Sequence, residues 1–146
     1  MDLGLKGLKA IVTGGTKGIG RAIAQTLAAE GTHVAFCARN ADEVAQTVKD
    51  FGSHGVQVLG RVADVGDGAA LSAFVADATA AFGGIDIVVA NVSALAIPND
   101  EANWQKTFEV NLQGYFWMAR GVARHLRDRG APGSIVSVSS VAGVEA

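Results

Sequence analysis

The fold of this chain is decided by one stretch near its N-terminus, Lys9-Ala10-Ile11-Val12-Thr13-Gly14-Gly15-Thr16-Lys17-Gly18-Ile19-Gly20. Its first part is apolar and predicts a strand, and the glycine-rich part predicts a turn that opens a helix. Gly14, Gly18 and Gly20 allow a tight turn, close approach of backbone N–H groups to a ligand, and close packing of helix on sheet. Because a helix N-terminus carries unpaired N–H groups and a partial positive charge, the stretch predicts binding of a dinucleotide pyrophosphate. A purely structural turn is the alternative.

The pattern of strand followed by helix repeats along the chain. Predicted strands cover residues 10–13, 33–37, 56–62, 85–90 and 134–139. Predicted helices cover residues 18–30, 42–51, 71–82 and 101–129. Such alternation favours right-handed crossovers and a parallel sheet with helices on both faces. We therefore expect an α/β fold in one domain, residues 1–146, with a doubly wound Rossmann-type sheet of strand order 3-2-1-4-5 and a ligand beyond the carboxyl ends of the strands.

Apolar residues at helical spacing mark one face of each predicted helix. On the first helix they are Ile19, Ile23 and Leu27. On the long fourth helix they form a stripe of Trp104, Phe108, Leu112, Tyr115, Phe116, Ala119, Val122, Ala123 and Leu126. We expect part of this stripe, and the apolar sheet edge at residues 135–138, to lack cover in this chain, which favours a homo-oligomer or other self-association.

The composition bounds the class of protein. Of 146 residues, 49% are hydrophobic and 18% are charged, which is typical of a single globular domain with a core. The formal net charge of −2 without a basic block argues against nucleic acid or an anionic membrane as a partner. The single cysteine, Cys37, forms no internal disulfide, and residues 1–8 do not resemble a secretory signal, so we expect a cytoplasmic protein. The three histidines are scattered, so no metal site is expected.

A resemblance to a known family rests on the glycine stretch. Thr13-Gly14-Gly15-Thr16-Lys17-Gly18-Ile19-Gly20 resembles the T-G-x-x-x-G-x-G signature of the short-chain dehydrogenase/reductase family. The resemblance continues along the chain and implies an oxidoreductase that transfers a hydride between a nicotinamide dinucleotide and a small carbonyl or alcohol substrate. A 3-oxoacyl thioester, a steroid, a sugar and another ketone all remain open as substrates. The coenzyme contacts implied in this stretch are Gly14, Thr16, Lys17, Gly18, Ile19 and Gly20.

The end of the second predicted strand indicates which coenzyme binds. Rossmann domains that prefer NAD place an acid there for the ribose hydroxyls, whereas this chain has Ala38 followed by Arg39 and Asn40. Arg39 would fork onto the 2′-phosphate of NADP, and Lys17 would add a second positive charge. This pair is similar to that of NADP-preferring members of the family. Two solvated surface cations are the alternative.

Two further stretches are compared with coenzyme-binding elements of the family, residues 64–65 and residues 91–93. Asp64 and Val65 match a pair that holds the adenine ring, although Asp64 as an ordinary helix-start residue is an equal alternative. Asn91 matches the family's asparagine after the fourth strand. Ser93 stands where the family usually has glycine, so the backbone there would approach the coenzyme ribose less freely.

Two residues are implied to act in catalysis. Asn111 lies beside the apolar stripe, where the family has an asparagine that helps to bind a water of its proton relay; a half-buried amide with protein partners is the alternative. The sequence Ser139-Ser140-Val141-Ala142-Gly143 resembles the family's Ser-Ser-x-x-Gly, whose second serine polarises the substrate carbonyl, which implies this role for Ser140. Serines at strand ends are otherwise turn residues.

The family's Tyr-x-x-x-Lys element is absent from these residues. The one tyrosine, Tyr115, is followed four residues later by Ala119, and neither Tyr nor Lys follows Ser140. The match therefore covers the cofactor-binding part of a family member, and we expect the tyrosine and lysine on sequence beyond Ala146. A non-catalytic NADP-binding fragment or cofactor-sensing module is the competing hypothesis.

Overall fold

A parallel sheet forms the centre of the computed structural model, which describes residues 3–94 and 98–140. Its strands are β1 (Lys9–Thr13), β2 (His33–Ala38), β3 (Val58–Val62), β4 (Ile87–Ala90) and β5 (Ser134–Ser137). Their order is β3-β2-β1-β4-β5, and each neighbouring pair is parallel, which confirms the predicted topology. Strands β2 and β3 lie on one side of β1, and β4 and β5 lie on the other. Because the chain changes sides after β3, a crevice opens at the carboxyl ends of β1 and β4.

Helices cover both faces of this sheet. They are α1 (Gly18–Ala29), α2 (Ala41–Gly52), α3 (Gly68–Phe82), α4 (Glu101–Phe108) and α5 (Gly114–Arg129), with a π-helical turn (Glu109–Gln113) between the last two. Adjacent strand residues point to different cores: Ile11 packs with α3 and α5, whereas Val12 packs with α1 and α2. This two-sided burial explains why the three central strands, β1, β2 and β4, are largely apolar along their length instead of alternating.

The region predicted as one long helix differs from the prediction in its continuity and in the face that it buries. The π turn divides it, and its buried line consists of Val110, Gly114, Met118 and Val122, at intervals of four. Several members of the predicted stripe are exposed instead, namely Trp104, Phe108, Leu112, Tyr115 and Phe116. Gly114 determines which face of the helix is buried. A Cβ at this position would lie 2.6 Å from the carbonyl oxygen of Val65, so the two backbones can approach this closely only where the residue is glycine.

Helix α1 also buries a smaller line of residues than its large apolar side chains suggest. Gly20, Ala24 and Ala28 are buried against the sheet. Ile23 and Leu27 pack beside this core, but Ile19 is 64% exposed. Small residues on the inner line let the helix lie close to β1, and this leaves Ile19 at the crevice.

Apolar surface remains open on α4, on the π turn, on α5 and on β5. Leu112 is 57% exposed and Phe116 53%, while Val136 on the outermost strand is 50% exposed. We expect the purified chain to self-associate, because exposed apolar patches and an unpaired strand edge both favour pairing. Light scattering would show a mass above 14.9 kDa. Replacing Leu112 and Phe116 by glutamate would lower that mass if the helix surface is responsible, and a monodisperse monomer of the unchanged chain would contradict the expectation.

Among the residues that the structure describes, no helix combines the length and the apolar character that a bilayer crossing requires.

Candidate functional site

The glycine turn between β1 and α1 is built by contacts that only glycine permits. Gly14 has φ of +69°, and a Cβ there would lie 2.8 Å from Val92 Cγ2. A Cβ on Gly20 would overlap both the carbonyl oxygen of Gly14 and the amide nitrogen Nδ2 of Asn91. The first turn of α1 is therefore pressed against the turn that precedes it. Gly18, with φ of +54°, is the first residue of α1.

Asn91 and Thr13 fasten this turn to the loop after β4. The Thr13 hydroxyl accepts the backbone N–H of Asn91 at 3.0 Å, and Asn91 Nδ2 donates to the Thr13 carbonyl at 3.1 Å. These bonds join the carboxyl ends of the two strands at which the sheet order reverses. Asn91 thus shapes the crevice through its protein contacts, and direct contact with a coenzyme remains a prediction.

Two neighbouring clefts open at this edge, each within the range of small-molecule sites, roughly 300–1,000 Å³. The first has a volume of about 510 Å³ and lies beyond β1, β2 and β3. The second has a volume of about 680 Å³ and lies beyond β4 and β5. The two clefts share five wall residues, namely Val65, Val92, Ser93, Ala94 and Val110.

Most of the predicted site residues line these clefts. The first cleft is lined by Gly14, Thr16, Lys17, Arg39, Asn40, Asp64, Val65 and Ser93. The second is lined by Ile19, Val65, Asn91, Ser93, Asn111 and Ser140. Gly18 and Gly20 line neither cleft. Both lie at the start of α1, where they shape the helix and the glycine turn.

The N-terminus of α1 is open to an anion. Lys17 occupies the N-cap position without a side-chain cap bond, and the first turn contains no acidic residue. The N–H groups and the helix dipole at this end therefore have no acidic partner from the first turn of α1 itself, although the Glu43 carboxylate contacts the side chains of Thr16 and Lys17 beside it. Together with the glycine contacts above, this arrangement fits a diphosphate group.

The first cleft contains an ion pair that sequence reasoning missed. Lys17 Nζ lies 2.6 Å from Glu43 Oε1, and the Thr16 hydroxyl donates to Glu43 Oε2 at 3.3 Å. The hydrogen bond from Lys17 lowers the pKa of Glu43 below its ordinary value. Arg39 is exposed directly after the last residue of β2, and it precedes Glu43 by four residues in the sequence.

The polar residues around α2 and α3 have well-defined local partners. The Asn40 side chain caps α2 by accepting the backbone N–H of Glu43 at 3.0 Å. Asp64 Oδ1 accepts the N–H of Gly66 at 2.9 Å, which forms a turn. Helix α3 is capped by Asp67, not by Asp64, since Asp67 accepts from Ala69 and Ala70. The helix-start interpretation of Asp64 is therefore wrong, and its contact with adenine remains a prediction.

Cys37 lies at the floor of the first cleft, at the end of β2. Burial raises the pKa of its thiol to about 12, despite a hydrogen bond from the backbone of Gly14 that acts in the opposite direction. The thiol is therefore protonated and unreactive at neutral pH.

Asn111 lies in the π turn and clamps the loop after β4. Its Oδ1 accepts the N–H of Ala94 at 2.7 Å, and its Nδ2 donates to the Ala94 carbonyl at 2.9 Å. The amide thus has the protein partners that the alternative interpretation expected, but Asn111 is exposed and not half-buried. Its place in the wall of the second cleft also agrees with a catalytic role, which stays a prediction. A π turn within a helix is frequently associated with a functional site.

Ser140 follows β5 and lines the second cleft beside Ser139. The rest of the predicted Ser-Ser-x-x-Gly motif, residues 141–143, lies outside the described residues. Ser139 and Ser140 stand at the same edge of the sheet as Asn111, which brings the two predicted catalytic residues to one cleft.

A comparison with known proteins identifies the family. A family model described as short chain dehydrogenase matches residues 8–146. This chain belongs to the short-chain dehydrogenase family. The resemblance seen in the sequence is therefore confirmed. The family is enzymatic, because its members are dehydrogenases and reductases, and it uses NAD(P) nucleotides.

Individual relatives of this short-chain dehydrogenase chain match nearly all of it. It is 37% identical over 147 residues to the 2,3-dihydro-2,3-dihydroxybenzoate dehydrogenase of Bacillus subtilis, covering 97% of the chain and 56% of that protein. It is 39% identical over 143 residues to a candidate ketoacyl reductase of the monensin polyketide synthase of Streptomyces virginiae, covering 92% and 53%. A crystal structure of a short-chain type dehydrogenase/reductase from Mycobacterium marinum matches with a TM-score of 0.87 at 29% identity, covering 96% and 57%. The chain thus spans a little over half the length of these relatives.

Several wall residues of the two clefts were not anticipated from the sequence. They are Glu43, Val92, Ala94, Asn103, Lys106, Val110, Tyr115 and Met118. Glu43 had a usable signal, because the first turn of a helix that follows β2 must lie near the carboxyl end of β1. Val92 and Ala94 lie in the loop after β4. The others lie on α4, the π turn and α5, whose orientation was not determined by periodicity.

Proposed function

We propose that this chain is the coenzyme-binding part of an NADP(H)-dependent oxidoreductase. The open N-terminus of α1 above the glycine turn carries the proposal, because it offers unpaired N–H groups to a diphosphate where the clefts meet the turn. Arg39 would bind the 2′-phosphate, with Lys17 on its other side. Asp64 and Val65 would hold the adenine, while Asn91 and Ser93 would lie near the ribose of the nicotinamide half.

The reaction would take place in the second cleft. NADP(H) would supply or accept a hydride at the nicotinamide C4. Ser140 would donate a hydrogen bond to the substrate oxygen and stabilise its developing negative charge, and Asn111 would hold a water and the loop at Ala94 in register. The proton donor, a tyrosine with a lysine, would come from sequence beyond Ala146. The substrate would be a small carbonyl or alcohol, and a 3-oxoacyl thioester is supported by the relative named as a candidate ketoacyl reductase. A cytoplasmic homo-oligomer is the setting that we propose.

A second candidate function is NADP binding without turnover. It is favoured by the sequence itself, in which the one tyrosine, Tyr115, has Ala119 four residues later instead of lysine. In that case the chain would act as a fragment or a cofactor-sensing module.

Titration of the purified chain with NADPH and NADH tests the binding function. We expect saturable binding of one NADPH per chain, seen as a change in tryptophan and nicotinamide fluorescence, with NADH binding more weakly. Absence of saturable binding of either coenzyme would contradict the proposal. Incubation of the intact natural protein, with any sequence that follows Ala146, with NADPH and a 3-oxoacyl thioester then separates the two functions. Loss of the NADPH absorbance requires a reductase, whereas unchanged absorbance supports binding alone.

A further inference from the structure

The carboxylate of Glu43 stands inside the cleft that would receive the 2′-phosphate. Its two oxygens contact Lys17 Nζ at 2.6 Å and the Thr16 hydroxyl at 3.3 Å. Lys17 is one of the two cations assigned to the 2′-phosphate above, and 76% of its side chain is exposed. The protein therefore already supplies an anionic partner to a group that an incoming phosphate would need.

The position of Glu43 follows from how α2 begins. Asn40 is the N-cap and Glu43 is the third residue of the helix, where a glutamate commonly reaches back to the N–H of the capping residue. Here the Asn40 side chain accepts the N–H of Glu43, while the Glu43 carboxylate turns toward the glycine turn. The cap fixes the backbone, so the carboxylate is presented to Lys17 from a rigid helix start.

Further contacts along the same faces of α1 and α2 hold this arrangement. Arg21 donates to the Thr47 hydroxyl at 3.0 Å and to Asp50 Oδ2 at 2.7 Å. Glu43, Thr47 and Asp50 are spaced by four and three residues, so they share one face of α2. The two helices are therefore joined by a row of polar contacts, of which the pair of Glu43 with Lys17 is the one that borders the cleft.

We propose that Glu43 is a specificity-determining residue that limits the preference of this site for NADP(H) over NAD(H). It does so by holding Lys17 in an ion pair and by placing a negative charge beside the 2′-phosphate subsite. The proposal rests on the proposed function, in which this cleft binds the adenosine half of the coenzyme. NADP(H) must displace or share Lys17, whereas NAD(H), which lacks the 2′-phosphate, leaves the pair intact.

The test compares coenzyme dissociation constants of the wild-type chain with those of Glu43→Gln. Glutamine keeps the size and the hydrogen bond with Thr16 but removes the charge. Probes are NADPH, NADH and adenosine 2′,5′-bisphosphate, which carries the 2′-phosphate without the nicotinamide half. Asp42→Asn is the matched control, because it removes the same charge from an exposed neighbour in the first turn of α2. Circular dichroism checks that each variant is folded.

We expect Glu43→Gln to bind NADPH and adenosine 2′,5′-bisphosphate about fivefold more tightly, the upper range for an exposed ion pair. NADH affinity and the Asp42→Asn control should each change by less than about twofold, since neither involves the Lys17 pair. In a Lys17→Met background the gain from Glu43→Gln should disappear, because the cation that it releases is gone.

The outcomes separate this inference from the proposed function. An unchanged NADPH affinity in Glu43→Gln, an equal gain for NADH, or a gain that persists without Lys17 would each overturn the role of Glu43. A wild-type chain that binds no dinucleotide would overturn both. A wild-type chain that prefers NADH, but whose Glu43→Gln variant shifts toward NADPH, would support the role of Glu43 and contradict the proposed NADP preference.

Discussion

Gly20→Ala is expected to destabilise the chain by about 3 kcal/mol, near the upper end for overpacking a close contact. The added methyl group would overlap the Gly14 carbonyl and the Asn91 amide, so the first turn of α1, the glycine turn or the loop after β4 must move. For a domain of this size the melting temperature should fall by about 10 °C. Since the same contacts shape the diphosphate site, NADPH affinity should fall in the folded variant as well. Thermal unfolding followed by circular dichroism, with NADPH titration below the transition, measures both effects.

The sign of this effect distinguishes tertiary contact from helix propensity. Inside a helix, replacing glycine by alanine ordinarily stabilises by up to about 1 kcal/mol. Gly52→Ala is the matched control, because Gly52 ends α2 and no heavy atom lies within 4 Å of its added Cβ. We expect Gly52→Ala to keep or raise stability. If Gly20→Ala were equally harmless, the tight packing of α1 on the glycine turn would be contradicted.

Arg39→Ala is expected to weaken NADPH binding by about 1.5–3 kcal/mol, or roughly 10- to 150-fold. A charge-assisted contact between guanidinium and phosphate is lost, and its loss should leave NADH within about threefold of the wild-type affinity. Arg39 is exposed in the wall of the first cleft, so the substitution should not disturb the core. Lys17 should substitute poorly, because it is already paired with Glu43 at 2.6 Å.

A charge-matched control isolates the contact from the overall field of the protein. Arg124 is exposed on α5 and lies outside the walls of both clefts, so Arg124→Ala changes the net charge equally. We expect this variant to bind both coenzymes as the wild type does. Equal losses for NADPH and NADH in Arg39→Ala would show that Arg39 does not recognise the 2′-phosphate.

The sequence predicted the elements and the topology well because their signals are local. The alternation of strands and helices, the apolar strands and the glycine turn led to the observed order β3-β2-β1-β4-β5. Strand ends shifted by up to two residues, as with β4, which begins at Ile87 instead of residue 85. The α3 pattern of Leu71, Phe74, Val75 and Ala78 is buried as its periodicity indicates.

Most of the predicted site residues line the two clefts, but the contacts among them were not predicted from the sequence. Asn111 was expected in a continuous helix, yet it lies in a π turn. The hydrogen bonds of a π turn join residues five apart, and they leave no clear mark in the spacing of the apolar residues. The cap of α3 was assigned as an option to Asp64, although Asp67 performs it, because both residues have the right side chain. The burial of Met118 in place of Phe116 depends on the close approach at Gly114.

By itself, the sequence determined the doubly wound fold, the glycine turn and the family, since each depends on residue types at short, regular spacing. Only the tertiary structure decided which face of α5 is buried, that Asn91 is bound to Thr13, and that Glu43 holds Lys17. These contacts join residues far apart in the chain, and they exist only once the register of the strands and the rotation of each helix are fixed by packing. Gly20 belongs to both: its place in the spacing is visible in the sequence, whereas the Gly14 and Asn91 atoms that forbid a larger side chain are visible only in the fold.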